Sequence, residues 1–107
     1  MNTMGWDIDV KEKVYQRLAN EIFFRIYNGT YQLGAKLPSY LNIAKEAGSS
    51  SETVRKAIRE LQARGVIDKT RWGYYVTSER NNIQEYYNNY IASVEREYLI
   101  AKGKVGK

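Results

Sequence analysis

The sequence predicts a mainly α fold with a small β-hairpin wing, a winged helix-turn-helix followed by a C-terminal dimerisation helix. Three observations carry this. Residues 49–64, SSSETVRKAIRELQAR, place Val54, Ala57, Ile58 and Leu61 on one side of a 3.6-period helix and turn Arg55, Lys56 and Arg59 elsewhere. A short helical stretch stands one glycine-containing turn ahead of it, the arrangement in which a second helix enters a DNA major groove. Two runs rich in β-branched and aromatic residues follow, the pattern of a hairpin. The expected organisation is a winged helix-turn-helix DNA-binding domain over residues 1–78, with an N-terminal arm at 1–10. Residues 79–107 then form a dimerisation helix and a short basic tail.

Taken in order, Trp6-Asp7-Ile8-Asp9-Val10 alternates polar with apolar and reads as a short strand or an extended arm. Residues 11–28 turn helical: Val14, Leu18, Ile22 and Ile26 stand four apart, and Tyr15, Ala19 and Phe23 widen a stripe whose plain meaning is core scaffold. Asn28 and Gly29 end it, since both tolerate a left-handed C-cap. A glycine-punctuated loop leads to Pro38, the sole proline, which keeps Leu37 out of the α region. Ser39 is placed to cap a helix over 40–47 that buries Leu41 or Ile43 with Ala44 and Ala47, and Gly48 stops it. Ser49 with Glu52 three residues on is a capping-box signature for the next helix, whose free donors and positive dipole suit phosphate oxygens.

Beyond Gly65, the runs Val66-Ile67-Asp68-Lys69 and Tyr74-Tyr75-Val76-Thr77 flank Thr70-Arg71-Trp72-Gly73. This is a wing with a basic, aromatic tip. Arg71 suits phosphates or a minor groove, and Trp72 either joins it or packs on its own domain. From residue 79 to about 101, Ile83, Tyr87, Tyr90, Val94 and Tyr98 (or Ala101) recur at alternating steps of four and three, the seam spacing of paired helices, and predict a homodimer interface. Tyr86, Tyr87, Tyr90 and Tyr98 either fill that seam or line a pocket for a small-molecule effector. The tail over 102–107 reads as frayed and disordered.

Composition narrows the chemistry. At 107 residues there is one domain's length of chain, with no cysteine and no histidine. Disulfides, thiolate or imidazole metal ligands and the usual general base are therefore missing, and the carboxylates are scattered. No catalytic residue, no metal site and no cofactor is expected, and the chain does not read as an enzyme. No apolar run approaches the roughly 20 residues of a membrane span, and the N-terminus has no signal pattern, so a cytoplasmic protein without a membrane partner is expected. The net charge of +5 is uneven: residues 11–78 hold twelve basic and six acidic side chains, residues 1–10 two acidic, and residues 79–107 five basic and four acidic. Positive excess thus lies with the reading helix, as phosphate neutralisation requires.

The run G-x-Y-x-x-G-x-K-L-P-S from Gly29 to Ser39 and the run S-x-x-T-V-R-x-A-I-x-x-L-x-x-x-G-V-I from Ser50 to Ile67 are the most specific motifs. In order and spacing, and across residues 13–77, the chain resembles the DNA-binding domain of the GntR family of bacterial winged-helix transcription regulators. Its short C-terminal part is similar to the YtrA-like subfamily, where that part serves chiefly for dimerisation. The resemblance implies DNA contacts at Ser39, Ser50, Thr53 and Arg55, with Gly73 letting the wing approach the backbone. The chain departs from the family at Leu41 and Ser51, which stand where arginines are common. An arginine bidentate to guanine is worth about 1–3 kcal/mol of discrimination, so sequence readout differs here.

Together these readings describe a sequence-specific transcription regulator, a homodimeric repressor acting by occlusion, whose partners are double-stranded DNA and a second copy of itself. Ser51, Thr53, Arg55, Lys56 and Arg59 fall near the major groove. Lys36, Ser39, Tyr40 and Lys56 fall on phosphates, and Arg71, Trp72 and Gly73 form the wing contact. The alternative is a winged-helix module for protein interaction or nucleoprotein assembly with loose DNA preference, which the two missing arginines favour.

Overall fold

Apolar periodicity over residues 3–27 builds a single long helix on which the rest of the domain is laid. In the computed structural model, which describes residues 3–105 and the side chains of residues 14–96 and Tyr98, the elements are α1 (Thr3–Tyr27), α2 (Tyr40–Ala47), α3 (Ser51–Ala63), β1 (Ile67–Thr70), β2 (Gly73–Val76) and α4 (Arg80–Val105). The N-terminal segment corrects the sequence reading: residues 6–10 are neither strand nor extended arm but part of α1. Trp6 and Val10 continue the four-residue step of Val14, Leu18, Ile22 and Ile26, and that longer period overrides a five-residue alternation. Residues 1 and 2 of the expected arm lie outside the described residues.

One core joins all the elements. Ala19, Ile22, Phe23 and Ile26 of α1 meet Ile43 and Ala44 of α2, the α3 stripe, Val66, Ile67 and Val76 of the hairpin region, and Ile83 and Tyr86 of α4. Of the two candidates on α2 the core takes Ile43, while Leu41 is 61% exposed. Ala47, expected inside, is exposed, because an eight-residue helix presents only one short row to its neighbours. Ser39 caps α2 by accepting from the Asn42 N–H at 3.2 Å. Gly48 ends it at φ 64°, a left-handed conformation that lets the Ser49 N–H reach the Ala44 carbonyl at 2.9 Å.

The start of α3 is one residue later than the capping-box pattern implied. Ser50, not Ser49, is the cap, and its hydroxyl accepts the Thr53 N–H at 3.1 Å. Glu52 turns to Arg55, at 3.6 Å, instead of reaching back to the cap. Below it Val54, Ala57, Ile58 and Leu61 are all buried. The hairpin pairs Ile67 with Val76 through Thr70 with Gly73, so its tip is the two residues Arg71 and Trp72. The loop ahead of α2 joins this sheet: Gly34 N–H to the Val76 carbonyl, Val76 N–H to the Ala35 carbonyl and Leu37 N–H to the Tyr74 carbonyl, at 2.8–2.9 Å, with Lys36 bridging Tyr75. No local pattern announced that third segment.

Thr77 is buried and its hydroxyl accepts the Glu79 N–H, setting the chain into α4. Asn82 Nδ2 then donates to the Gly65 carbonyl at 3.1 Å, and the Tyr86 hydroxyl donates to Asn20 Oδ1 at 2.7 Å. Tyr86 lies on Phe23 at 4.3 Å between ring centroids, Tyr87 stacks on Tyr27 at 4.6 Å, and Tyr90 meets Phe24 edge-on at 5.0 Å. The seam expected from Ile83 to Tyr98 therefore divides: Ile83, Tyr87 and Tyr90 close the chain's own domain against α1, whereas Val94 and Tyr98 are exposed. The tail expected to be disordered continues α4 to Val105, for a lone Gly103 costs a helix only about 1 kcal/mol. Residues 106 and 107 lie outside the described residues. Among the described residues no helix is long and apolar enough to cross a membrane.

Candidate nucleic-acid interface

The amphipathic split of α3 determines which of its side chains are free. Burial of Val54, Ala57, Ile58 and Leu61 against α1 and α2 leaves Lys56 and Arg59 exposed and Arg55 part-exposed. Neither Lys56 nor Arg59 has an ion pair among the described residues. Arg55 is held by Glu52 alone, and an exposed pair of that kind is worth about 0–1 kcal/mol, little enough for a phosphate or a base edge to displace it.

The start of the helix is organised by its own hydroxyls. Ser50 occupies the cap with its hydroxyl also 2.8 Å from the Thr53 hydroxyl, so both side chains are engaged within the helix. Ser51 stands half-buried as the first residue of α3. On the neighbouring helix Ser39 is exposed and engaged in capping, and Tyr40 is packed half-buried against the core, holding the start of α2 in place.

The wing brings a second set of cations. Lys36, distant from the hairpin in sequence, lies across Gly73: a β-carbon there would meet Lys36 Cε at 2.9 Å. Gly73 also adopts φ 132°, so any side chain at this position would be strained as well as displacing the lysine. Arg71 places its guanidinium 5.6 Å from the Trp72 ring centroid, and Lys69 lies over Tyr74 at 5.6 Å. Trp72 does not pack on its own domain; it is 68% exposed. Leu41, which the resemblance places where an arginine is common, is also exposed.

Of the tyrosines named for a seam or an effector pocket, Tyr86 and Tyr90 lie on the chain's own body. Tyr86 is in the core, where burial pushes its phenol up to about 12, against the opposing pull of Arg64 at 4.8 Å over its ring. With Tyr90 it edges a hollow of about 210 Å³ whose other walls, Gln16, Asn20, Arg64, Asn89 and Ser93, are polar.

The profile of the bacterial regulatory proteins of the gntR family matches residues 11–76. Among solved structures, a GntR family transcriptional regulator from Listeria monocytogenes superposes with a TM-score of 0.75 at 26% identity, covering 87% of this chain and 82% of that one. YtrA from Sulfolobus acidocaldarius, a GntR-family transcription factor, gives 0.58 at 28%, covering 87% and 90%. BusR of S. agalactiae, solved in complex with its busA-promotor DNA, gives 0.68 at 30%, covering 84% of this chain and 44% of BusR. The chain spans a third or less of the length of the curated transcriptional regulators it matches.

Proposed function

Since the chain belongs to the gntR family of bacterial regulatory proteins and carries that family's DNA-binding domain, we propose that it is a homodimeric, sequence-specific repressor that acts by occluding its operator. The observation that carries this is the division of α3: an apolar side sealed in the core and Arg55, Lys56 and Arg59 left open. In this reading α3 lies in the major groove with Ser51, Thr53, Arg55, Lys56 and Arg59 toward the bases and adjacent phosphates. Lys36, Ser39, Tyr40 and Ser50 fix register on the backbone, and Arg71, Trp72 and Gly73 bring the wing to the flanking groove.

Two copies joined through the outer part of α4, at Val94 and Tyr98 and the edges of Tyr87 and Tyr90, would read half-sites about one helical turn apart. BusR bound to promoter DNA supports the DNA partner by similarity. A second reading, loose nucleoprotein packing, draws on the Glu52 carboxylate beside Arg55, which offsets charge at the start of the reading helix. One titration separates the two. Duplex binding that weakens steeply with salt, and that genomic operator competes far better than scrambled DNA, is the expected result. Equal competition selects the packing protein, and affinity indifferent to salt removes both.

A further inference from the structure

If the domain binds duplex DNA, as argued above, its wing tip still holds a group that electrostatics does not explain. Trp72 is the most exposed large apolar side chain among the described residues, yet tryptophan is a residue that folding normally covers. Nor is it on a loose loop. The strands stay paired up to Thr70 and Gly73, so only Arg71 and Trp72 make the turn. The Thr70 hydroxyl braces that turn from inside, accepting the Trp72 N–H at 3.0 Å and donating to the Gly73 carbonyl at 3.4 Å. Lys36, Lys69 and Arg71 surround the base of the tip, and Asp68 is the sole acidic residue in the strands and turn. A braced, cation-ringed projection is thus tipped with an indole whose one polar group is a single N–H donor and whose remaining surface is apolar. On a duplex, the apolar surface that an indole can cover lies between stacked base pairs.

We infer that Trp72 is an unstacking wedge. With Arg71, Lys69 and Lys36 on flanking phosphates, the indole enters the minor groove and inserts part-way between two base pairs, kinking the duplex. Pyrimidine–purine steps unstack most easily, so the wing selects TA or CA/TG steps at positions where no hydrogen bond reads a base. The wedge adds shape readout outside the major-groove half-site.

The test uses the full chain and a duplex recovered from a random pool by selection. Trp6→Phe leaves Trp72 as the sole tryptophan; its emission is expected to be quenched, and shielded from soluble quencher, as duplex is added. Energy transfer between end labels on the duplex should report a bend of roughly 20–90°. Trp72→Ala should lose the bend and bind about tenfold more weakly with an unchanged salt slope, and Trp72→Phe should keep much of both. An unquenched indole on a straight duplex that binds with full salt dependence overturns the wedge alone. Shielding of Trp72 that follows protein concentration without DNA overturns it in favour of a protein contact. Failure to bind duplex at any ionic strength overturns the regulator reading and the wedge together.

Discussion

Helices α3 and α4 both carry an apolar stripe on a charged background, and the fold treats the two in opposite ways. On α3 the stripe is at most 1% exposed, whereas on α4 it opens from 8% at Ile83 and 3% at Tyr86 to 44% at Val94 and 62% at Tyr98. The cause is the supply of neighbours. Helix α3 is covered by α1, α2 and β1, while α4 passes the aromatic cluster Phe23, Phe24 and Tyr27 and then runs on for several turns. A closed stripe fixes the shape of the domain and leaves a polar face to work with. An open one keeps an apolar surface whose burial needs a second molecule, which is why we assign DNA to the first helix and self-association to the second.

The hardest blow to this contrast is Leu61→Ala. Truncating a fully buried leucine should cost about 2–5 kcal/mol in urea denaturation and take DNA binding down with the fold. A loss well under 1 kcal/mol would mean the α3 stripe is not what closes the domain. Val94→Glu probes the other helix: the urea midpoint should hold, and sedimentation should show self-association weakened by about tenfold or more, about 1.4 kcal/mol. Equal sedimentation of parent and variant takes Val94 out of any self-association, and two monomers would overturn the dimer itself.

Tyr86→Phe tests the point where the α4 stripe is still closed. Loss of the hydrogen bond to Asn20 should lower stability by about 0.5–1.5 kcal/mol at neutral pH. The folded phenol, raised to about 12, keeps its proton above pH 10 where the unfolded one loses it. Its contribution is therefore complete below about pH 10 and declines as pH climbs toward 12, and the stability gap between parent and variant should narrow over that interval. Smallest is Arg59→Ala on the open side of α3. Stability should stay within about 0.5 kcal/mol, while the slope of log affinity against log salt falls by about 0.9, one phosphate contact. No change in slope would take Arg59 off the DNA.

The same contrast explains what the sequence could tell in advance. Both ends of α2 were readable because Ser39 and Gly48 are unambiguous signals with chemically different neighbours. The start of α3 was harder: three serines in a row offer equivalent caps, and only the added contact between the Ser50 and Thr53 hydroxyls selects one. The candidate site on α3 was legible since its charged and apolar residues separate at helical spacing. The union of Lys36 with the wing was not, because pairing of residues 34–37 with β2 across the intervening helices leaves no local trace. Along α4 the four-and-three spacing announced a stripe but not Tyr86, which the core takes beside Ile83; how far the body covers that stripe depends on where α1 ends, and that is a property of the fold.

The contact between Asn82 and Gly65 has a mechanical result. A β-carbon on Gly65 would come within 2.8 Å of the Asn82 amide, so the start of α4 approaches the exit of α3 closely at that corner and is tied there by a hydrogen bond. In a two-fold assembly built on such arms, the angle at which the arms cross becomes a ruler for the separation of the two readers. If two copies pair through α4 as proposed, one base pair inserted at the centre of an operator should weaken binding by changing the phase of the two half-sites.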